Sequence, residues 1–61
     1  MFIKLTTMAG LTCYYAVDAI AFFLDHDSFG TLVKLKGDLG AEAVKQTADE
    51  IADLIAAAKA A

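Results

Sequence analysis

Residues 47–61, TADEIADLIAAAKAA, are the stretch that decides how this chain folds. Thr47 and Glu50 have the spacing of a capping box, in which the threonine oxygen accepts the Glu50 N–H and the carboxylate reaches back to the Thr47 N–H. One helical stripe follows at the i, i+3, i+4, i+7 spacing: Ile51, Leu54, Ile55 and Ala58. A helix this short is marginal alone, so we predict that its stripe covers a sheet built by the preceding residues.

The preceding residues alternate like an antiparallel meander. Turns at Gly10, Gly30 and Gly37 divide them, and we predict strands at residues 2–6, 11–16, 20–25, 31–36 and 41–46. The third run, IAFFLD, is rich enough in aromatic residues to predict burial on both faces. The predicted fold class is therefore α+β. We expect a single domain over residues 1–61, a small antiparallel β-meander of four to five strands with one C-terminal α-helix packed on one face.

Composition predicts self-association. A chain of 61 residues buries only about 60% of its unfolded surface, so domains of this size commonly need a disulfide, a metal or a partner. One cysteine excludes an internal disulfide, and one histidine with one cysteine gives too few ligands for structural zinc. Because 59% of the residues are hydrophobic, above the usual share, we predict a homo-oligomer with an even number of subunits.

Charge and hydropathy limit the classes of binding partner that the sequence predicts. The net charge is −3, from five lysines and eight acidic residues without arginine, which argues against tracking duplex DNA. No run of about 18 apolar residues is present, so no membrane span is predicted. Met1 begins strand-like sequence at once, which leaves no room for a signal peptide. With the free Cys13, these features predict a cytoplasmic protein.

The order of motifs along the chain resembles that of one protein family. The order is Gly10, Tyr14, Asp18, Ile20, an acidic hairpin, Thr31-Leu32-Val33-Lys34-Leu35, Gly37, Val44-Lys45-Gln46-Thr47 and Asp49-Glu50-Ile51. It is similar to the FlbD-type flagellar and swarming proteins, which show a V-K-E-S-x-D-E-V passage into a C-terminal helix. The resemblance implies the same small fold and a regulatory adaptor role through protein–protein contacts, with no catalytic residues. Small phage proteins of this shape would carry a similar pattern.

Asp25, His26 and Asp27 are the one group of residues in the sequence that suggests a catalytic or metal-binding site. An imidazole between two carboxylates can bind a divalent ion or act as an acid–base pair. Adjacent residues point away from one another, however, and Asp with Ser28 favours a turn, so we interpret the segment as a solvated hairpin tip. Cys13 lies in an apolar strand and is interpreted as a small core residue. We therefore predict a protein that is not an enzyme and needs no cofactor or metal.

Lysines and aromatic residues provide a candidate ligand site. Lys34 and Lys36 alternate onto one face of the fourth predicted strand, with Lys4 a possible third member, and Tyr14 and Phe29 offer stacking surfaces. Aromatic faces beside lysines suit a nucleotide base and its phosphate. We expect a small anionic ligand, such as a nucleotide signal, bound by these residues between subunits. The alternatives are a solvated lysine face and an aromatic face that binds a protein partner.

Overall fold

The fold was determined from a computed structural model, which describes residues 1–26, 28 and 30–60. The elements are β1 (Phe2–Thr6), β2 (Thr12–Ala16), a 3₁₀ helix (Val17–Ala19), β3 (Ile20–Asp25), β4 (Thr31–Leu35), β5 (Ala41–Val44) and α1 (Ala48–Ala60). The predicted α+β class, a small antiparallel meander with one C-terminal helix, is confirmed. The second, fourth and fifth strands are each shorter than predicted.

The described strands form two antiparallel sheets, β1–β2 and β3–β4–β5. The sheets meet where the chain leaves β1: Thr7 bridges to Val44, and the Lys45 N–H donates to the Thr6 carbonyl oxygen at 2.8 Å. The Met8 N–H continues this contact by donating to the Ala43 carbonyl oxygen at 3.1 Å. The end of β1 therefore runs beside β5 and connects the two sheets.

The core lies between the two sheets and α1. Its buried hydrophobic residues are Ile3, Leu5, Tyr15, Val17, Val33, Val44 and Ile51. The helix contributes Ile51, fully buried, with Ile55 and Ala58 packed beside it. Leu54 was expected in the same stripe but remains 37% exposed. Helical residues advance by roughly 100°, which places Leu54 about 60° from Ile51 around the axis, at the border of the stripe.

The prediction that the third strand is buried on both faces is wrong. Phe23 is half-buried against the core, whereas Phe22 is 52% and Leu24 45% exposed. The core and the helix cover only one face of the β3–β4–β5 sheet, so one face of β3 meets them while the other is open to solvent. The aromatic density of this strand therefore reflects an exposed apolar surface in addition to the core.

The helix cap has one expected and two unexpected components. The Glu50 N–H donates to Thr47 Oγ1 at 3.1 Å, as the capping box predicts. The Glu50 carboxylate, however, accepts from the Thr47 hydroxyl at 3.4 Å instead of from its N–H. In addition, the Ala48 N–H donates to Asp25 Oδ1 at 3.0 Å. A carboxylate from the end of β3 thus satisfies a free N–H of the first helical turn.

Residues 44–48, which we call the junction, bind both sheets. Gln46 Oε1 accepts the Thr6 N–H at 2.9 Å, and the Gln46 carbonyl oxygen accepts the hydroxyl of the buried Thr31 at 2.7 Å. Gly30 lies against the same segment, because a Cβ atom there would stand 2.5 Å from the carbonyl oxygens of Val44 and Lys45. The junction is consequently in contact with β1, with the start of β4 and with the helix.

We predict that Thr47→Ala lowers the free energy of unfolding by about 1 kcal/mol, because the Glu50 N–H loses its acceptor. Thr47→Ser keeps the hydroxyl oxygen and is the matched control, with stability close to that of the unchanged chain. Thermal unfolding followed by circular dichroism at one fixed protein concentration measures both. Equal melting temperatures for Thr47→Ala and Thr47→Ser would contradict the cap.

We predict that Gly30→Ala destabilises the fold by about 1–3 kcal/mol, because the new methyl group would collide with junction carbonyl oxygens that are held by backbone pairing. Gly40→Ala is the control, since a Cβ atom there meets nothing within 4 Å. Its stability should be unchanged or slightly higher. Urea unfolding of the two variants tests the pair, and a Gly30→Ala protein as stable as Gly40→Ala would refute the close contact.

Candidate functional site

The open side of the three-stranded sheet carries a patch that we call the outer face, formed by Phe22, Leu24, Leu32 and Lys34. Phe22 pairs with Lys34 across β3 and β4, and Leu24 pairs with Leu32. Successive side chains of a strand point to opposite faces, and Val33, between Leu32 and Lys34, is fully buried. The outer face is therefore apolar, with one cation inside it.

Lys34 lies in the expected strand and beside an aromatic residue, but the aromatic residue is Phe22. Directly paired residues have Cβ atoms about 4.5–5.5 Å apart, which is within reach of a lysine stem and a phenyl ring. Lys34 is half-buried, so its methylene groups cover apolar surface while the ammonium group extends toward solvent. A cation next to a ring face combines charge with a stacking surface.

Lys36 does not continue the strand as predicted, because β4 ends at Leu35. Its N–H donates to the Ala19 carbonyl oxygen at 2.8 Å, and the chain then turns at Gly37, whose φ is +85°. A left-handed conformation of this kind favours glycine and ends the alternation. Lys36 is exposed at the end of β4 and forms a second positive charge two residues beyond Lys34.

Tyr14 lies on the other sheet, where it pairs with Lys4 across β1 and β2. Both side chains are exposed, as is Phe2 on the same face of β1. The structure therefore does not bring Tyr14 next to Lys34 within one chain, and the expectation that Lys4 shares the sheet face of Lys34 is wrong. Phe29, the other predicted stacking residue, lies outside the described residues.

Asp25 and His26 of the acidic hairpin make hydrogen bonds that stabilise the fold. Asp25 caps the helix through the Ala48 N–H, and His26 Nδ1 accepts the Ser28 N–H at 3.1 Å. Asp27 lies outside the described residues. Within the described part of the chain, no three His, Cys, Asp or Glu side chains are grouped so that they could hold a metal ion. Asp25 thus has a role that the sequence pattern did not reveal, because its partner is 23 residues away.

A third group of polar side chains converges at the end of the core. Cys13 is half-buried and packs against the core, as predicted, and Tyr15 beside it is buried. Burial raises the pKa of the Tyr15 phenol, and the nearby Cys13 and Glu42 raise it further. The side-chain hydrogen bond with Cys13 acts in the same direction.

Comparisons of the chain with protein-family models, with curated proteins and with solved structures find no match. The similarity to the FlbD-type family stays a prediction. Over the described residues, none of the helical structure is both long enough and apolar enough to cross a membrane.

We predict that Tyr15 ionises above pH 10 and that the fold loses stability there. In Tyr14→Phe, Tyr15 is the one remaining tyrosine, so absorbance at 295 nm follows this phenol alone. Its pKa is raised in the folded chain, so the unfolded chain releases the proton first and stability falls as pH rises through the folded pKa. Below about pH 10 the contribution is fully present.

The same variant unfolded in denaturant is the control for this titration, and its midpoint should return to about 10. Equal midpoints in the folded and unfolded chains would contradict the burial of the phenol beside Cys13 and Glu42.

Proposed function

We propose that the chain is a non-catalytic binding module that self-associates through the outer face and holds a small anionic ligand, such as a nucleotide signal, at that interface. The observation that carries the proposal is the half-buried Lys34 side chain within an exposed apolar patch. Phe22 and Leu24 expose about half of their surface there. Contiguous apolar surface of this kind is typical of association sites.

A second copy of the chain is the occupant that best fits the outer face. Two-fold association places the same patch on both sides, so the Phe22 ring and the two leucines would meet apolar groups of the partner. Aromatic residues are enriched in the cores of interfaces, whereas lysines are depleted there. An interface with Lys34 inside it therefore requires a compensating negative charge.

Because the interface needs a compensating negative charge, we infer that the ligand is an anion. Two-fold symmetry brings two Lys34 ammonium groups toward one another, and burying unpaired like charges is costly. An anion between them removes the repulsion, and the Phe22 rings offer faces for a planar group such as a nucleobase. Lys36, exposed at the end of β4, adds charge at the border of the site. Because the whole chain has a net charge of −3, such binding depends on these local lysines.

The remaining polar groups support binding in preference to catalysis. Asp25 is engaged at the helix N-terminus, and Cys13 packs against the core. The free Cys13 thiol also supports the proposed cytoplasmic location, because thiols persist in reducing compartments.

A regulatory adaptor of the FlbD type is the second candidate. Two observations favour it: the passage Val44-Lys45-Gln46-Thr47 into the helix resembles that family, and β3 is an edge strand next to the outer face. In this alternative a partner protein covers the outer face or adds a strand to β3. A stable heteromeric complex in a pull-down, with the outer face buried in it, would favour the adaptor.

We predict that Leu24→Glu dissociates the oligomer, because it removes an apolar side chain from the interface and buries a carboxylate whose desolvation costs more than its attraction to the nearby Lys34 returns. Leu39→Glu is the matched control, since Leu39 is also exposed but lies in the turn between β4 and β5 and is not one of the four outer-face residues. Light scattering coupled to size exclusion measures the mass at micromolar concentration. A monomeric parent protein, or a Leu24→Glu protein that keeps the parent mass, would refute self-association through this face.

We predict that replacing both Lys34 and Lys36 by glutamine weakens nucleotide binding roughly tenfold or more and leaves the oligomer intact, because charge-assisted hydrogen bonds are lost. The control replaces the exposed Lys45 and Lys59 by glutamine, which changes the net charge equally. Calorimetry against mononucleotides and cyclic nucleotides measures affinity. An absence of heat with the parent protein would eliminate the ligand and leave the adaptor.

A further inference from the structure

A cavity of about 310 Å³ opens where the turn between β1 and β2 faces β5. Its lining includes Met8 and Leu11 and four residues with polar side chains: Thr7, Cys13, Tyr15 and Glu42. The volume is at the small end of the range for ligand pockets. It shares no residue with the outer face, so its occupancy is independent of the function proposed above.

The rim of the cavity is held in place by backbone hydrogen bonds. Within the turn, the Thr7 N–H donates to the Leu11 carbonyl oxygen at 2.8 Å, and the Leu11 N–H donates to Thr7 Oγ1 at 3.1 Å. Gly10, with a φ of +90°, provides the left-handed position of the turn. The Met8 N–H fixes the turn to β5 through the Ala43 carbonyl oxygen. The cavity is therefore preformed, and ordering it on binding costs little.

Two groups at the cavity can accept a hydrogen bond from a ligand. The Tyr15 hydroxyl oxygen carries lone pairs. Glu42 contributes an exposed carboxylate. Acceptors and a negative charge beside apolar walls match an ammonium group attached to a small apolar body. An anion would instead be repelled by Glu42.

We propose that this cavity binds a small primary amine in its ammonium form, with Glu42 as its charge partner and the Tyr15 oxygen as its second acceptor. The apolar part of the amine lies against Met8 and Leu11.

The test is an NMR titration of the ¹⁵N-labelled full chain with three probes of similar size: phenethylammonium, 2-phenylethanol and phenylacetate. Phenethylammonium should shift the amide signals of Met8, Leu11 and Cys13, and bind at least tenfold more tightly than the alcohol. Phenylacetate should leave these signals unchanged. The comparison uses the parent protein, so it does not depend on whether a variant folds.

Glu42→Gln should weaken phenethylammonium binding about tenfold, and Asp38→Asn, which removes the same charge from an exposed turn, should leave it unchanged. Equal affinity for the three probes, no binding of the amine at millimolar concentration, signal changes confined to other residues, or a Glu42→Gln protein with parent affinity would each overturn the proposal. Failure of nucleotide binding at the outer face would not affect these outcomes.

Discussion

The fold depends on the hydrogen bonds that converge on the junction, residues 44–48. Gln46 satisfies the Thr6 N–H with its side chain and the Thr31 hydroxyl with its carbonyl oxygen, so one residue connects β1 to β4. On either side of it, Lys45 donates to the Thr6 carbonyl oxygen and Ala48 donates to Asp25. Leaving one such group unpaired away from water costs about 1–3 kcal/mol, a large share of the stability of a small domain. The helix itself is too short to persist without these contacts and the core beneath it.

The junction positions both candidate binding surfaces, the outer face and the cavity beside β5. The strand that leads into it, β5, pairs with β4 on one side and meets the end of β1 on the other. The β4 pairing positions the sheet whose outer face carries Lys34 and Phe22. The contact with β1 positions the turn that lines the cavity proposed to bind an amine, together with Glu42.

The sequence predicted what is local and missed what depends on distant pairing. Strand positions followed from alternation and from turn glycines, and the helix start followed from Thr47 and Glu50, because each signal lies within a few residues. The exposure of Phe22 required knowing that only one face of the β3–β4–β5 sheet is covered. Its position beside Lys34 required the register of β3 on β4, and the separation of Tyr14 from Lys34 required the division into two sheets. The Asp25 cap and the cavity lined by Tyr15 and Glu42 each bring together residues that are far apart in the chain. No periodic pattern in the sequence predicts such contacts.

The most direct test of the junction is native-state hydrogen exchange of Gln46→Ala, with Gln46→Glu as the control that keeps an acceptor for the Thr6 N–H. If the junction makes the two sheets one cooperative unit, the slowest-exchanging amides of β1–β2 and of β3–β5 lose the same free energy in Gln46→Ala and nearly none in Gln46→Glu. A loss confined to β1–β2, with unchanged protection in β3–β5, would contradict this account, because the sheets would then unfold independently.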